Sequence, residues 1–221
     1  MTLISGAFGV FRRSALVAVG GYRHDTVGED LEVVLRLHRR AREEGRRYRV
    51  AFVPEIVCWT EAPATLSGLR GQRARWEQGA LETIVRHRRM IGNPRYGRIG
   101  LVAMPLMILE DVICPPLEVA GYLLVPLLFC LGALSPEIAI AFFAVSVIFG
   151  AFLSFGALVH EELQVRRTPT ARGLAQLTLA ALLENFGYRQ VNTAFRLLGM
   201  WRFLRRRTGW LSVPRQGFQA A

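Results

Sequence analysis

Gln72-Arg73-Ala74-Arg75-Trp76 stands between a polar, mixed segment and two long apolar runs, residues 116–134 and 138–159, and that order divides the chain into two kinds of structure. Gln72, Arg75, Trp76 and Gly79 fall at i, i+3, i+4 and i+7, which puts them on one face of a single helix. An amide, a guanidinium and an indole, with a glycine clearing space beside them, make an odd packing stripe. They suit a ligand better. Arginine takes a planar oxyanion bidentately where lysine offers only a point charge, and the indole offers a flat apolar surface for stacking. Arg73 points away from this face by helical geometry and ranks below Arg75. The competing reading is a solvated basic helix with one buried tryptophan.

Upstream, residues 3–98 carry the mixed patterns of α/β structure. Residues 6–12 read as a strand and turn. Ser14 starts a short helix ending at Gly20-Gly21, and Asp30 caps a helix running to about Glu44. On that helix Leu31, Val34, Leu35 and His38 share the inner face, Arg36, Arg39, Arg40 and Glu43 face outward, and Gly45 stops it. Residues 50–53 and 56–59 read as short strands around Pro54-Glu55. Thr65 caps a helix over 66–90, whose first turns Gly68 and Gly71 weaken.

Downstream the solvent changes. Residues 101–109 are apolar but end at Glu110-Asp111, which predicts an interfacial or partly embedded helix. The run 116–134 has 19 residues with one carboxylate, Glu118, and 138–159 has 22 with no charge. Each can cross about 30 Å of hydrocarbon, and the short link 135–137 makes them a helical hairpin. Arginine-rich segments on both sides, 86–98 and 166–172, put both ends of the hairpin in the cytoplasm. Residues 174–183 read as an amphipathic helix on that same face, with a third span as the alternative.

Composition agrees with a small polar part joined to a membrane part. The 221 residues are 52% hydrophobic, more than an ordinary soluble domain carries. A net charge of +11 arises from arginine with no lysine, and it suits phosphates or anionic lipid. A nucleic-acid partner is disfavoured, because the basic clusters, Arg86-His87-Arg88-Arg89 and residues 202–207, adjoin apolar runs. Cys58, Cys114 and Cys130 lack metal or redox spacing and read as small buried hydrophobes.

Gly28-Glu29-Asp30 precedes Gln72 by 42 residues (72 minus 30). The acidic Glu-Asp pair and the Gln-x-x-Arg-Trp pattern together resemble the signatures of the processive family-2 glycosyltransferases, the group that includes cellulose, hyaluronan and poly-N-acetylglucosamine synthases. The resemblance runs from about residue 3 to about residue 218. It implies a partial GT-A domain of α/β class followed by an α-helical membrane region, and transfer of a hexose, with inversion, from a nucleotide-sugar such as UDP-glucose or UDP-N-acetylglucosamine to a glycan or lipid-linked acceptor. By the same resemblance Asp30 is the catalytic base with Glu29 supporting it. Gln72, Arg73, Arg75 and Trp76 then bind substrate where the acceptor meets the donor diphosphate. Ser5-Gly6-Ala7-Phe8-Gly9 resembles the loop lining the acceptor channel, which adds Gly6, Ala7 and Phe8 to the binding set, and Thr60-Glu61-Ala62-Pro63 resembles the turn before the motif helix. From the residues alone, Asp30 as a plain helix cap and residues 5–9 as a glycine-kinked strand stay open. His24, Asp25, Glu110, Asp111 and Glu118 are weaker candidates.

The family's divalent cation, Mg²⁺ or Mn²⁺, is held by aspartates of a nucleotide-binding half that precedes these motifs. This sequence has no comparable spacing, so the expectation is that the metal ligands lie outside the chain and that the enzyme is incomplete as given. The expected organisation is the C-terminal half of a GT-A domain over 1–98, a membrane region over 99–200, and a basic cytoplasmic tail over 201–221. The protein is then multi-pass in the plasma (bacterial inner) membrane with its catalytic part cytoplasmic. Its partners are the nucleotide-sugar donor, the acceptor, membrane lipid and a polypeptide carrying the missing half. The alternative is a non-catalytic membrane subunit, or an inactive remnant, that docks to a nucleotide-binding partner.

Overall fold

The structure, a computed structural model, describes residues 8–51, 58, 60–165 and 170–207. Its α-helices are α1 (Arg13–Ala18), α2 (Glu29–Glu43), α3 (Leu66–Arg86), α4 (Met104–Ile108), α5 (Cys114–Cys130), α6 (Pro136–Val165), α7 (Ala171–Leu183) and α8 (Tyr188–Leu204). Among the described residues there is no strand, which overturns the expected α/β class. A strand holds only when a neighbour takes up its N–H and C=O groups. The described parts of the expected strands, residues 8–12, 50–51 and 58, have no paired strand among the described residues. The rest of those expected strands, at 6–7, 52–53, 56–57 and 59, lies outside the described residues.

The helical readings fare better, with two changes. Thr65 caps α3 as expected, its hydroxyl accepting from Gly68 N at 3.1 Å. Asp30, however, is not a cap: Gly28 holds that position, and Asp30 lies in the first turn of α2 with Oδ1 accepting from Leu31 N at 2.8 Å. The second change is at residues 101–109, which are not a separate short helix. They belong to one continuous helical stretch, Ile99–Cys130, of 32 residues. Two π-helical turns, Ile99–Ala103 and Leu109–Ile113, carry it through, and Pro105 and Pro115 each lie just after one of them. Asp111 is carried inside this stretch and is paired with Arg196 at 2.9 Å.

The contact pattern divides the chain into two compact units, Met1–Pro116 with Phe195–Ala221, and Leu117–Ala194. In the first, Leu35 of α2 packs with Met90, Tyr96 and Met104, all buried, and Leu31, Ile91, Ile99 and Met107 close around them. Tyr96 keeps its hydroxyl satisfied by donating to Glu43 at 2.9 Å. Arg36, expected to face outward, reaches back to the carbonyls of Val19 and Gly21 at 2.5 and 2.6 Å and ties the α1 turn to α2.

In the second unit, α5 ends with Gly132 N bonded to Phe129 O and Ala133 N to Leu128 O, a Schellman closure that lets the chain turn into α6. The stretches Ile99–Cys130 and Pro136–Leu163 are long and apolar enough to cross a membrane, and only 6% of each apolar window is buried by protein. Cys114 and Cys130 lie at the two ends of α5, and they and Cys58 are exposed rather than buried as expected. Glu118 is satisfied within this unit by Tyr122, Arg189 and Thr193 at 3.1, 2.6 and 3.0 Å. α7, at 13 residues, is too short to span.

Candidate active site

The first unit sets the acidic motif on the motif helix by a stepwise register. Asp25 meets Arg86 at 3.3 Å; one turn back along α3, Glu82 accepts from Thr26 Oγ1 at 2.7 Å and from Val27 N at 3.0 Å. A further turn back, Gly28 lies on Gly79 so closely that a Cβ on Gly79 would stand 2.7 Å from Gly28 Cα. Each residue or two of the loop thus advances one turn toward the N-terminus of α3. The next turn on that face carries Arg75 and Trp76, and the next residues of the loop are Glu29 and Asp30. The glycine expected to clear space beside Arg75 and Trp76 does so for the backbone that delivers the acidic pair.

Glu29 is exposed and Asp30 half-buried, so both carboxylates can be reached from solvent. Gln72 and Arg75 are half-buried and Trp76 is 53% exposed, which leaves an indole surface that no core demands. Arg73 does not point away as expected: its guanidinium carbon lies 4.6 Å from the centroid of the Trp76 ring, a cation–π stack that fixes the indole. Asp25, a weaker candidate, is committed to Arg23 at 2.6 Å, and that hydrogen bond holds its carboxyl well below the usual range. Phe8 is exposed, and Gly6 and Ala7 lie outside the described residues.

Substituting Gly79 tests the register directly. Alanine raises helix propensity by about 1 kcal/mol, but the new methyl would meet Gly28 backbone, which cannot swing away like a side chain. Overpacking of this kind costs about 1–3 kcal/mol. Gly79→Ala should therefore lower the unfolding midpoint of the detergent-solubilised chain, and a raised midpoint would show that the helices do not approach this closely.

The opposite face of α3 is built on a buried ion pair. Glu77, 3% exposed, accepts from Arg196 Nε at 2.6 Å, and the same guanidinium donates to Asp111 at 2.9 Å and to the Glu110 carbonyl at 2.7 Å. Gly199 of α8 makes room, since a Cβ there would stand 2.4 Å from Ala74 O. Burial pushes the Glu77 carboxyl up to about 7 despite the opposing pull of Arg196. The folded form therefore binds a proton that the unfolded chain releases near its ordinary value, so stability is greatest in acid and falls as pH rises toward and through about 7. The full difference is of the order of 3 kcal/mol. Denaturation midpoints measured between pH 5 and 8 should decline for the native sequence, and Glu77→Gln should flatten that decline; an unchanged slope would remove Glu77 as its source.

Comparison with known proteins shows which family the chain belongs to. The family model of glycosyl transferase family group 2 matches residues 1–158. The chain belongs to glycosyl transferase family group 2. It is also 42% identical over 83 residues to the poly-beta-1,6-N-acetyl-D-glucosamine synthase of Staphylococcus aureus (strain COL), which is 38% of this chain and 19% of that protein. The synthase of the same description from Staphylococcus epidermidis (strain ATCC 35984) is 39% identical over 83 residues, with the same coverage. The chain thus spans about a fifth of the length of the curated relatives it matches. No solved structure matches.

For this family-2 chain the divalent cation can be tested against the donors present. Among the described residues no three His, Cys, Asp or Glu side chains gather in a way that could hold a metal. One oxygen of Asp30 already accepts a backbone N–H. The described residues therefore do not fit a metal centre.

The sequence does not single out Gln78, Glu82 or Arg196, and it shows Arg202 only within the basic cluster at 202–207. Gln78 and Glu82 carried a signal, since they sit four residues apart beside Gly79, but the partners of Gln78 and Glu77 on α8 are more than 100 residues away and leave no local trace.

Proposed function

We propose that this chain forms the acceptor-side part of a membrane-bound transferase that moves a hexosyl unit, with inversion, from a nucleotide-sugar to a glycan or lipid-linked acceptor. UDP-N-acetylglucosamine is the favoured donor, because the relatives are named as synthases of poly-beta-1,6-N-acetyl-D-glucosamine. The observation that carries the reading is the seating of Gly28 on Gly79, which starts the Glu29-Asp30 pair one turn from Arg75 and Trp76. In the proposed step, Asp30 takes the acceptor hydroxyl proton as the oxygen attacks the anomeric carbon. The bond from that carbon to the diphosphate breaks, and Arg75 stabilises the departing charge. Trp76, with Arg73 stacked on it, holds the acceptor ring in line, Gln72 hydrogen-bonds it, and Glu29 orients Asp30.

Two stretches of 32 and 28 residues with almost no protein cover support a membrane hairpin. The flanking arginines support a site on the cytoplasmic face of the bacterial inner membrane. Membranes containing the protein, incubated with UDP-N-acetylglucosamine labelled in the sugar, should transfer label to a lipid or glycan product with a β linkage. Label that stays in the nucleotide pool, with UDP-glucose equally inert, would defeat the proposal.

A further inference from the structure

Glu82 lies on α3 one turn beyond Gly79 and touches no residue to which a chemical step has been given. Its two oxygens nevertheless do different jobs. Oε2 accepts from Thr26 Oγ1 at 2.7 Å and from Val27 N at 3.0 Å, and Thr26 Oγ1 in turn accepts from Gly28 N at 3.2 Å. One carboxylate oxygen therefore fixes the three residues that enter α2. Oε1 accepts from Gln78 Nε2 at 2.8 Å. Gln78, itself 2% exposed, is held from two sides, because Nε2 also donates to the Arg207 carbonyl at 2.7 Å and Oε1 accepts from Arg202 Nε at 3.1 Å.

The chain of bonds runs from the end of α8 through Gln78 and Glu82 to the residues immediately before Glu29. Gly28 has no side chain to anchor itself and makes no side-chain cap to α2. Glycine also leaves the backbone freest at the point where the acidic pair must be aimed. The carboxylate of Glu82 substitutes for the missing cap by holding Thr26 and Val27 from outside the helix.

We infer that Glu82 is a positioning residue: it sets where Glu29 and Asp30 stand relative to Arg75 and Trp76, and Gln78 with Arg202 locks its rotamer. This inference rests on the proposed role of Asp30 for its catalytic consequence, but its structural part stands without it. A misplacement of about 1 Å at a reacting group can cost about 100-fold in rate, so a loosened loop should slow transfer while leaving recognition of the donor in place.

The test has two arms. In the 221-residue chain, amide hydrogen exchange at Val27 and Gly28 should speed at least tenfold in Glu82→Ala, with the rest of α2 still protected. Glu82→Gln, which keeps one acceptor oxygen, should restore most of the protection. Thr26→Val, a milder change on the loop side, should loosen Gly28 in the same way should Glu82→Ala fail to fold. In the intact transferase, Glu82→Ala should lower kcat about tenfold with KM for the nucleotide-sugar within about twofold, and Glu82→Gln should recover most of kcat. Unchanged exchange at Val27 in Glu82→Ala, or at Gly28 in Thr26→Val, overturns the positioning role. Faster exchange with normal kcat overturns its catalytic consequence. If Asp30→Asn also turns over normally, the assignment of Asp30 has failed instead, and the exchange arm alone decides on Glu82.

Discussion

Asp30→Asn should lower transfer by roughly two to four orders of magnitude while nucleotide binding stays near the native level, as expected when a general base is removed. The asparagine is isosteric and its amide oxygen can still accept from Leu31 N, so α2 should start where it does now. What is lost is the ability to carry a proton. Asp30 is not the helix cap, and its half-buried carboxylate has one oxygen used by the backbone, so the substitution removes chemistry without removing a structural anchor. Steady-state kinetics with labelled donor, alongside equilibrium binding of UDP, separates the two effects. Near-native turnover in this variant would end the assignment.

Arg75→Lys should cost roughly 100- to 1,000-fold in kcat, the range seen when one preorganised donor to developing charge is removed. The charge is kept, so a smaller effect would follow if only long-range attraction mattered. Guanidinium and ammonium differ in geometry: the planar fork can take two diphosphate oxygens together, and lysine cannot. A loss confined to KM with kcat unchanged would mean that Arg75 binds ground and transition states alike, contrary to the proposed role.

The sequence spoke most clearly where spacing carries chemistry. Gln72, Arg75, Trp76 and Gly79 share a helix because their intervals match its turn, and that helix exists from Leu66 to Arg86. The amphipathic pattern of α2 likewise placed Val34, Leu35 and His38 inside, and all three are buried. The fold class was misread because short β-rich runs such as 50–53 identify strands only when a partner is available, and none pairs with their described part. Asp30 reads as a cap because Asp is favoured there, but α2 starts at Glu29 with Gly28 at the cap, and the approach of Gly79 leaves no room for a side chain at that position. Helical angle alone ranks Arg73 below Arg75 and points it away, but a long side chain can bend over its neighbour's ring. The pairing of Glu77 with Arg196 joins residues 119 apart and is a property of packing rather than of any local pattern.

A double-mutant cycle on kcat, combining Asp30→Asn with Arg75→Lys, tests most directly whether the acidic pair and the motif helix form one catalytic unit. Residues that serve a single transition state are strongly non-additive, so the double variant should be little slower than the slower single variant. Losses that multiply, so that the double variant falls by the product of the two single effects, would mean that Asp30 and Arg75 act independently and would contradict the site described here.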